Sequence, residues 1–495
     1  MIESRSAKTI VLASGQALGT LVLLVIAAVL ARLLDKVDYA TFRQTLLVYT
    51  FAAPFAVLGL DRALYYFLPA EEVRPRGVLA ENLLLLATGG LVLGGLFALG
   101  GNRLLARWFN NPGLAGTILI LAPYPLLMLP AKSLSACLMA RGRSVQVAGF
   151  NVVSRLAMLV AVVIPCLLWP RPETAVAALV IAGAVTTSAA LCLMFRACPG
   201  NARPTLRGMG SQLRFGVPLG LSVIADLIAV NVDKIIVSAV CLPGVFAVYV
   251  NGAIDLPLVG IAVGAAVSVL MVDCTKLHKD GRLTEMLALA HRAWTKCAAI
   301  IFPLTAFAFV FAPEVMRLLY GDDYGESAVP FRIYLLRFPV RISLYHAIFI
   351  SANRGRQLLG LSSAMAAMGT VLAWLGASYY GIVGAAAANA LVVYIVAVPY
   401  LLVSFSQIFK CGLRDVLPWQ GLGKVALATA IPTAGAAAVR MTWDVPDLVS
   451  LLVGGTVWGL LAAPVFARLR LFDARPMLRK LGAAVLRLLG GQPSR

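Results

Sequence analysis

An apolar stretch from 213 to 251 contains four polar side chains whose types and spacing could do chemistry: Asp226, Asn231, Asp233 and Lys234. The stretch is long and apolar enough to enter a bilayer, where a charged residue costs roughly 2.5–3.5 kcal/mol on insertion scales. Asp226 and Asp233 are seven residues apart, so a helix places them on one face, with Lys234 close beside it. The charges therefore form either a buried ion pair that joins two helices or the wall of a hydrophilic path.

A second group of candidate residues lies between 329 and 350, where Tyr334, Arg337, Arg341 and Tyr345 are spaced three, four and four residues apart. In a continuous helix they form one stripe, with Arg341 near the middle of the membrane. Arginine keeps its charge, and its guanidinium forks onto phosphate or carboxylate. The stripe therefore predicts a bound anion, which is either a protein carboxylate or an anionic substrate.

Other predicted membrane segments also carry charge. Arg155 lies in the fifth, and Asp255 follows Asn251 by one helical turn in the eighth. Asp61 and Arg62, near the inner end of the second, are expected to cap the helix or to snorkel to the interface. The candidate substrate-binding residues are thus Arg337, Arg341, Lys234, Arg155, Tyr334 and Tyr345. The candidate ion-coupling or ion-pairing acids are Asp226, Asp233 and Asp255.

The composition indicates which class of protein positions these residues. Of the 495 residues, 60% are hydrophobic and 13% are charged, which is typical of a polytopic membrane protein and of no soluble globular class. The net charge of +20 is scattered over short loops, so it indicates membrane orientation and not nucleic acid binding. The eight Cys and three His form no CxxC or HExxH pattern, and no Walker A sequence is present. We therefore expect no metal, no cofactor and no enzymatic activity.

About fourteen apolar segments are long enough to cross a membrane as helices, at about 20 residues for each crossing. The predicted spans are 10–31, 43–68, 79–101, 114–138, 145–169, 174–195, 213–240, 247–271, 292–313, 329–350, 358–379, 382–408, 421–441 and 448–467. With both termini in the cytoplasm, the inner segments hold most of the Lys and Arg residues that lie between spans. The chain is therefore predicted to be an all-α bundle with cytoplasmic termini.

Short internal matches divide this bundle. The loop Arg141-Gly142-Arg143 recurs as Arg354-Gly355-Arg356 at the corresponding place in the second half. The run DYATF after the first span likewise has a counterpart, VFAVY, after the seventh. The matches predict two parallel six-helix lobes, 1–210 and 211–412, around a central cavity. Two further helices are predicted in 413–468.

The predicted tail, 469–495, places apolar residues on one helix face and basic residues such as Arg475 and Arg479 on the other. This pattern is typical of a helix that lies on a membrane surface and binds anionic lipids. Docking of a protein partner is the alternative.

Residues 15–69 and 213–263 resemble the polysaccharide-export branch of the multidrug/oligosaccharidyl-lipid/polysaccharide (MOP) exporter superfamily. The most specific part is the seventh and eighth spans, with Pro218, Asp233-Lys234 and Pro243-Gly244 followed by Tyr249. The resemblance implies a two-lobed, V-shaped bundle that flips undecaprenyl-diphosphate-linked oligosaccharide repeat units across a bacterial inner membrane by alternating access. It also implies a polysaccharide polymerase or assembly complex as a partner.

Two other functions stay open. A cation-coupled exporter of multidrug or small amphipathic compounds would use one of the membrane acids, and a scaffold for polysaccharide assembly would use none of the cavity charges. The first span has neither the acid of drug-exporting members nor the Arg of the lipid II flippase branch. Both differences favour exopolysaccharide or O-antigen units as the substrate.

Overall fold

The computed structural model describes residues 19, 21–69, 74–442 and 445–468. Within these ranges every regular element is a helix and none is a strand, so the prediction of an all-α membrane protein is confirmed. The predicted tail helix, 469–495, and the beginning of the first predicted span lie outside the described residues.

The first part of the chain forms ten α-helices, with a π-helical turn, Phe97–Gly101, between α4 and α5. They are α1 (Leu21–Leu33), α2 (Lys36–Val57), α3 (Leu60–Phe67), α4 (Pro75–Leu96), α5 (Asn102–Trp108), α6 (Gly113–Leu121), α7 (Tyr124–Ala131), α8 (Leu134–Ala140), α9 (Ser144–Leu168) and α10 (Pro172–Ala197).

The second part adds eleven α-helices, two 3₁₀ segments, Asp322–Ser327 and Phe338–Ser343, and a π-helical turn, Val393–Ala397. The helices are α11 (Leu206–Val240), α12 (Pro243–Gly252), α13 (Pro257–Lys279), α14 (Leu283–Val310), α15 (Ala312–Tyr320), α16 (Ala328–Leu335), α17 (Tyr345–Ser351), α18 (Gly355–Val392), α19 (Val398–Phe409), α20 (Trp419–Thr442) and α21 (Asp447–Arg468).

Ten of the described helical runs are long and apolar enough to cross a membrane, and up to twelve if two bent pairs are each one span. The bent pairs are α2 with α3, at 41°, and α6 with the run 124–140, at 48°. The run Gly355–Phe409 has 55 residues and covers the eleventh and twelfth predicted spans together. With the shorter helix α1, each of the fourteen predicted spans overlaps a described helix.

A glycine turn divides α18. Gly381 has φ +58° and ψ −142°, which is not helical. A Cβ atom on Gly376 would meet the backbone carbonyl of Gly384. In a straight helix, two residues that are eight positions apart would be separated by about 12 Å along the axis. The chain therefore reverses at Gly381, and close packing of glycine backbones joins the two arms.

The second span is broken in the left-handed region. Leu58 has φ 44° and Gly59 has φ 73°. A Cβ atom on Gly59 would lie 2.5 Å from the carbonyl oxygen of Gly216 in α11. Glycine at 59 thus permits both the turn and the close approach of α11, and α3 starts in a new direction that positions Asp61 and Arg62.

Two expected continuous spans are interrupted. The eighth is broken between α12 and α13, so Asn251 ends one helix and Asp255 lies exposed in the connection. The expectation that these residues lie one turn apart on a helix is wrong. The tenth contains the 3₁₀ segment 338–343 followed by Leu344 at φ 45°, so the predicted stripe of Tyr334, Arg337 and Arg341 does not lie on one continuous α-helix.

The helices group into two compact units. The first contains the described residues of 1–261, 316–334 and 355–400, and the second those of 262–315, 335–354 and 401–468. A core cluster of the first unit joins α3, α4, α8 and α10 through side chains such as Leu64, Leu79, Leu138 and Met194. The predicted lobes, 1–210 and 211–412, stay a prediction.

Candidate functional site

The centre of the candidate site is the carboxylate of Asp233, which has no exposed surface. Its Oδ2 atom accepts hydrogen bonds from the hydroxyl groups of Tyr249, at 2.5 Å, and Tyr334, at 2.6 Å. Its Oδ1 atom has no hydrogen-bond partner among the residues that the structure describes. Burial of a carboxylate is costly unless it is paired or hydrogen-bonded, so two short hydroxyl contacts and one open oxygen mark a site of functional interest.

A second buried polar group lies at the start of α2. The Tyr39 hydroxyl donates to Asn251 Oδ1 at 2.7 Å and accepts from Arg43 at 2.9 Å. The Tyr39 ring meets Tyr324 edge-on, with centroids 5.7 Å apart, and Lys36 Nζ lies 5.9 Å from the Tyr324 centroid. We call Tyr39, Arg43, Asn251 and Tyr324 the gate cluster.

The gate cluster joins helices from both predicted lobes, because α2 precedes residue 210 and α12 follows it. Gln44 donates to Ser238 at 2.9 Å, and Asn111 donates to Gln44 at 2.6 Å. Arg32 donates to the carbonyl of Leu318. These contacts are polar hydrogen bonds, each worth about 0.5–1.5 kcal/mol net, so each can break and re-form at modest cost.

Lys234 lies beside the Asp233 site. Its ammonium group donates to Asn231 at 3.1 Å and is 6.0 Å from the centroid of the Tyr334 ring. Tyr334 therefore contacts Asp233 through its hydroxyl and faces Lys234 with its ring. The structure brings together three of the predicted site residues, Asp233, Lys234 and Tyr334.

Asp226 occupies a different environment on the same helix. It is half-buried and accepts a hydrogen bond from Ser362 of α18. No arginine contacts it among the described residues, so pairing of Asp226 with an arginine is not what the structure shows. Asp226 therefore joins α11 to α18, whereas Asp233 joins it to α12 and α16.

Arg155 lies on α9, apart from the Asp233 site. It is half-buried, and a Cβ atom on Gly19 would lie 3.6 Å from its Cγ atom. The side chain thus packs along Gly19. Its role as a substrate-binding cation stays a prediction.

The remaining candidates belong to the second unit. Arg337 is buried, with 8% of its surface exposed. The guanidinium carbon of Arg341 lies 5.0 Å from the centroid of the Phe338 ring, and the rings of Tyr345 and His346 are 4.3 Å apart. The 3₁₀ segment sets the directions of these side chains, so helical spacing alone does not predict which of them act together.

Sequence reasoning missed Tyr39 and Tyr249 as site residues. Both lie in the short matches DYATF and VFAVY that indicated the internal repeat. A tyrosine in a mostly apolar segment indicates a buried polar contact, because a buried hydroxyl needs a hydrogen-bond partner. Its partner, however, comes from another helix.

An outer pocket of about 520 Å³ adjoins the gate cluster. It lies where α2 and α12 begin, at the ends of the helices that are predicted to face away from the cytoplasm. Its lining is mostly apolar with four polar side chains, Lys36, Asn110, Asn111 and Glu326. Among the described residues no three His, Cys, Asp or Glu side chains are grouped to hold a metal ion.

Comparison with known proteins agrees with this architecture. The family model described as polysaccharide biosynthesis protein matches residues 29–329. No curated protein matches the chain. The structure of the lipid II flippase MurJ in an inward closed conformation is similar at 14% sequence identity and a TM-score of 0.75, with 94% of this chain and 99% of that chain covered.

Two other solved structures share the fold. An inward-facing multidrug resistance MATE family transporter of the MOP superfamily has a TM-score of 0.64 at 17% identity, covering 80% of this chain and 96% of that one. A MOP superfamily transporter from Pyrococcus furiosus has a TM-score of 0.56 at 15% identity, covering 82% and 96%. The resemblance to the MOP superfamily is thereby confirmed. Because the family model covers more than half of the chain, the protein belongs to the polysaccharide biosynthesis protein family and has the helical transporter fold of MurJ and the MATE transporters.

Proposed function

We propose that the protein flips undecaprenyl-diphosphate-linked oligosaccharide repeat units across the bacterial inner membrane by alternating access. The observation that carries this proposal is the combination of the family match over residues 29–329 with the fold of a lipid II flippase over 94% of the chain. The family and its structural neighbours are transporters or flippases and not enzymes.

Translocation of a diphosphate needs polar surface inside the membrane, because the charged group loses its water there. The described helices carry such groups at Asp226, Asp233, Lys234 and Arg337. In this mechanism cationic and aromatic side chains bind the diphosphate and the sugars, while the lipid chain stays in the bilayer. The substrate-binding role is proposed for Arg337, Arg341, Lys234, Arg155, Tyr334 and Tyr345.

The gate cluster supports alternating access. Its contacts join α2 to α12 and to the 3₁₀ segment 322–327 at the end predicted to lie outside. Breaking them would open a path on that side. The cost includes a few hydrogen bonds, each worth about 0.5–1.5 kcal/mol net, and the exposure of buried side chains such as Phe42 and Phe246, and the binding energy of a substrate or ion must offset both.

A specific observation also favours a second function, the cation-coupled export of small amphipathic compounds. The open oxygen of Asp233 is a position for a proton or a cation, and the fold is shared with a multidrug resistance MATE transporter. In that case Asp226, Asp233 or Asp255 is essential and the arginines tolerate glutamine.

The two functions are separated by an accumulation assay in cells that lack the gene or carry Arg337→Gln/Arg341→Gln, with protein level checked. The flippase proposal expects lipid-linked oligosaccharide to accumulate in the cytoplasmic leaflet in both strains. Normal export in the double variant would show that these arginines do not bind the substrate. Normal export in the deletion strain would overturn the flippase function. We expect neighbouring genes for glycosyltransferases and, as a partner, a polysaccharide polymerase or assembly complex.

A further inference from the structure

A small pocket lies where the second span is broken, away from the Asp233 site. Its volume is about 60 Å³. Its lining includes Asp61, Arg62 and Lys132, together with small residues such as Gly59 and Gly220. At about 10–15 Å³ for one water, the volume corresponds to about four to six waters, which is the size of one phosphoryl group and too small for an oligosaccharide.

The two cations of this pocket have no short side-chain contacts within the protein. The side chains of Arg62 and Lys132 form no hydrogen bond and no close ion pair with any residue in the described ranges, although the Asp61 carboxylate acts on Lys132 electrostatically, and both side chains are exposed. Asp61 is half-buried and likewise has no such contact. Neither the Asp61 nor the Arg62 side chain forms a capping hydrogen bond at the start of α3. Snorkelling of the exposed Arg62 to the interface stays a prediction.

The charges of the pocket select for an anion. Both cations lie in helical segments that form candidate membrane spans. Two positive groups and one negative group leave one net positive charge, and cations at membrane depth are retained where they face a bundle interior or a wet path. Arg presents a planar fork of donors and Lys a mobile ammonium, which together suit the oxygens of a phosphoryl group.

An apolar surface adjoins the pocket. Arg62 and Tyr66 are four residues apart on α3, so they share a face of the helix. The Tyr66 ring stacks on Phe215 of α11, with centroids 4.8 Å apart, yet 63% of Tyr66 is exposed. An amphiphile with a phosphorylated head and an apolar chain matches this arrangement better than a free phosphate.

We propose that Arg62 and Lys132 form a phosphoryl-binding site at the break of the second span, and that Asp61 weakens its affinity so that the bound group can leave. The site binds the phosphate or diphosphate of a substrate head group. That this substrate is lipid-linked rests on the proposed function. It uses cations other than the arginines of the tenth span, and it binds one phosphoryl group near the predicted inner end of the second span.

The test is a binding measurement on the purified full-length protein in detergent. The probes are farnesyl diphosphate, inorganic pyrophosphate and the uncharged alcohol farnesol. The variants are Arg62→Gln/Lys132→Gln, Asp61→Asn and, as a matched control for loss of an exposed cation elsewhere, Arg103→Gln. Asp61→Asn removes the opposing charge without changing the shape of the side chain.

We expect Arg62→Gln/Lys132→Gln to bind farnesyl diphosphate at least about tenfold more weakly, since two charge-assisted hydrogen bonds are lost. Asp61→Asn should bind farnesyl diphosphate more tightly. Arg103→Gln should bind it as tightly as the unmodified protein does, and the affinity for farnesol should be the same in all variants. A preference for farnesyl diphosphate over pyrophosphate assigns a lipid head group, and equal affinity assigns a free phosphate.

Unchanged diphosphate binding in Arg62→Gln/Lys132→Gln would overturn the site, as would unchanged or weaker binding in Asp61→Asn. If the double variant does not fold, Asp61→Asn still tests the site, because its expected effect is tighter binding of the diphosphate. Export by the deletion strain tests the proposed function separately. If export continues without the gene while the pocket binds diphosphate, the flippase function fails and the site stands.

Discussion

The Tyr39 hydroxyl donates a 2.7 Å hydrogen bond to the Asn251 side-chain carbonyl, although the two residues lie 212 positions apart. Both side chains have no exposed surface. The bond joins α2 of the first predicted lobe to α12 of the second, so the residue pair that closes the gate cluster is also a link between the predicted halves.

Removing this bond should weaken the gate cluster. In Tyr39→Phe the buried Asn251 loses a donor, and its Nδ2 atom already has no partner among the described residues. We expect a loss of about 1–3 kcal/mol in the free energy of unfolding. The midpoint of thermal unfolding in detergent measures it, and Tyr380→Phe, whose side chain is 78% exposed, is the control. Equal midpoints in the two variants would contradict a structural role for the bond.

Asp233→Asn tests whether the buried carboxylate serves transport. The amide oxygen can still accept from Tyr249 and Tyr334, so we expect the variant to fold and to reach the membrane. If Asp233 carries a proton or a cation, transport stops, because an amide cannot titrate. Lipid-linked oligosaccharide in the cytoplasmic leaflet is the measurement for the flippase. Transport at the normal rate would assign Asp233 a structural role.

The arginines of the tenth span should matter for transport and not for folding. In Arg337→Gln/Arg341→Gln we expect a normal protein level and a loss of export, since removing a membrane-buried charge lowers the cost of insertion and also removes the proposed anion-binding groups. Arg103→Gln, which removes an exposed cation outside the candidate site, is expected to retain export. A double variant that is degraded would instead indicate that the arginines stabilise the fold.

An ion pair stabilises the second unit. Arg440 Nε lies 2.6 Å from Glu314 Oε1, with side chains 27% and 7% exposed. Removal of either partner leaves a partly buried charge unpaired, at an expected cost of about 1–3 kcal/mol. A double-mutant cycle with Glu314→Gln and Arg440→Gln should show that the double variant loses less than the sum of the single losses. Additive losses would mean that the pair contributes no coupling energy.

Gly59→Ala should be more damaging than its size suggests. The methyl group would meet the Gly216 carbonyl, and φ of 73° is unfavourable for alanine. The backbone strain alone predicts a loss of about 1–3 kcal/mol. Gly149→Ala is the matched control, because nothing lies within 4 Å of its Cβ position. A Gly59 variant as stable as this control would show that α11 moves aside without cost.

Much of the architecture was predictable from the chain. The apolar segments and the charge of the loops predict the spans, because each membrane helix must satisfy its own backbone hydrogen bonds and bury apolar side chains. The recurrence of Arg141-Gly142-Arg143 as Arg354-Gly355-Arg356 predicts two six-helix halves, and that repeat stays a prediction. The sequence also indicated that Asp233 needs a partner or a role, since a carboxylate in an apolar helix is costly without one, and the structure supplies two hydroxyl partners.

The partners themselves came from the tertiary structure. Tyr249 and Tyr334 reach Asp233 from positions 16 and 101 residues away, and helical spacing carries no information about such contacts. The breaks at Gly59, Ala253 and Leu344 change the direction of the chain inside predicted spans, so the arginine stripe and the Asn251–Asp255 turn do not form as expected. Periodicity determines which residues enter the membrane, whereas packing between helices decides which charges meet, because hydrogen bonds and close glycine contacts depend on the backbone positions of several segments at once.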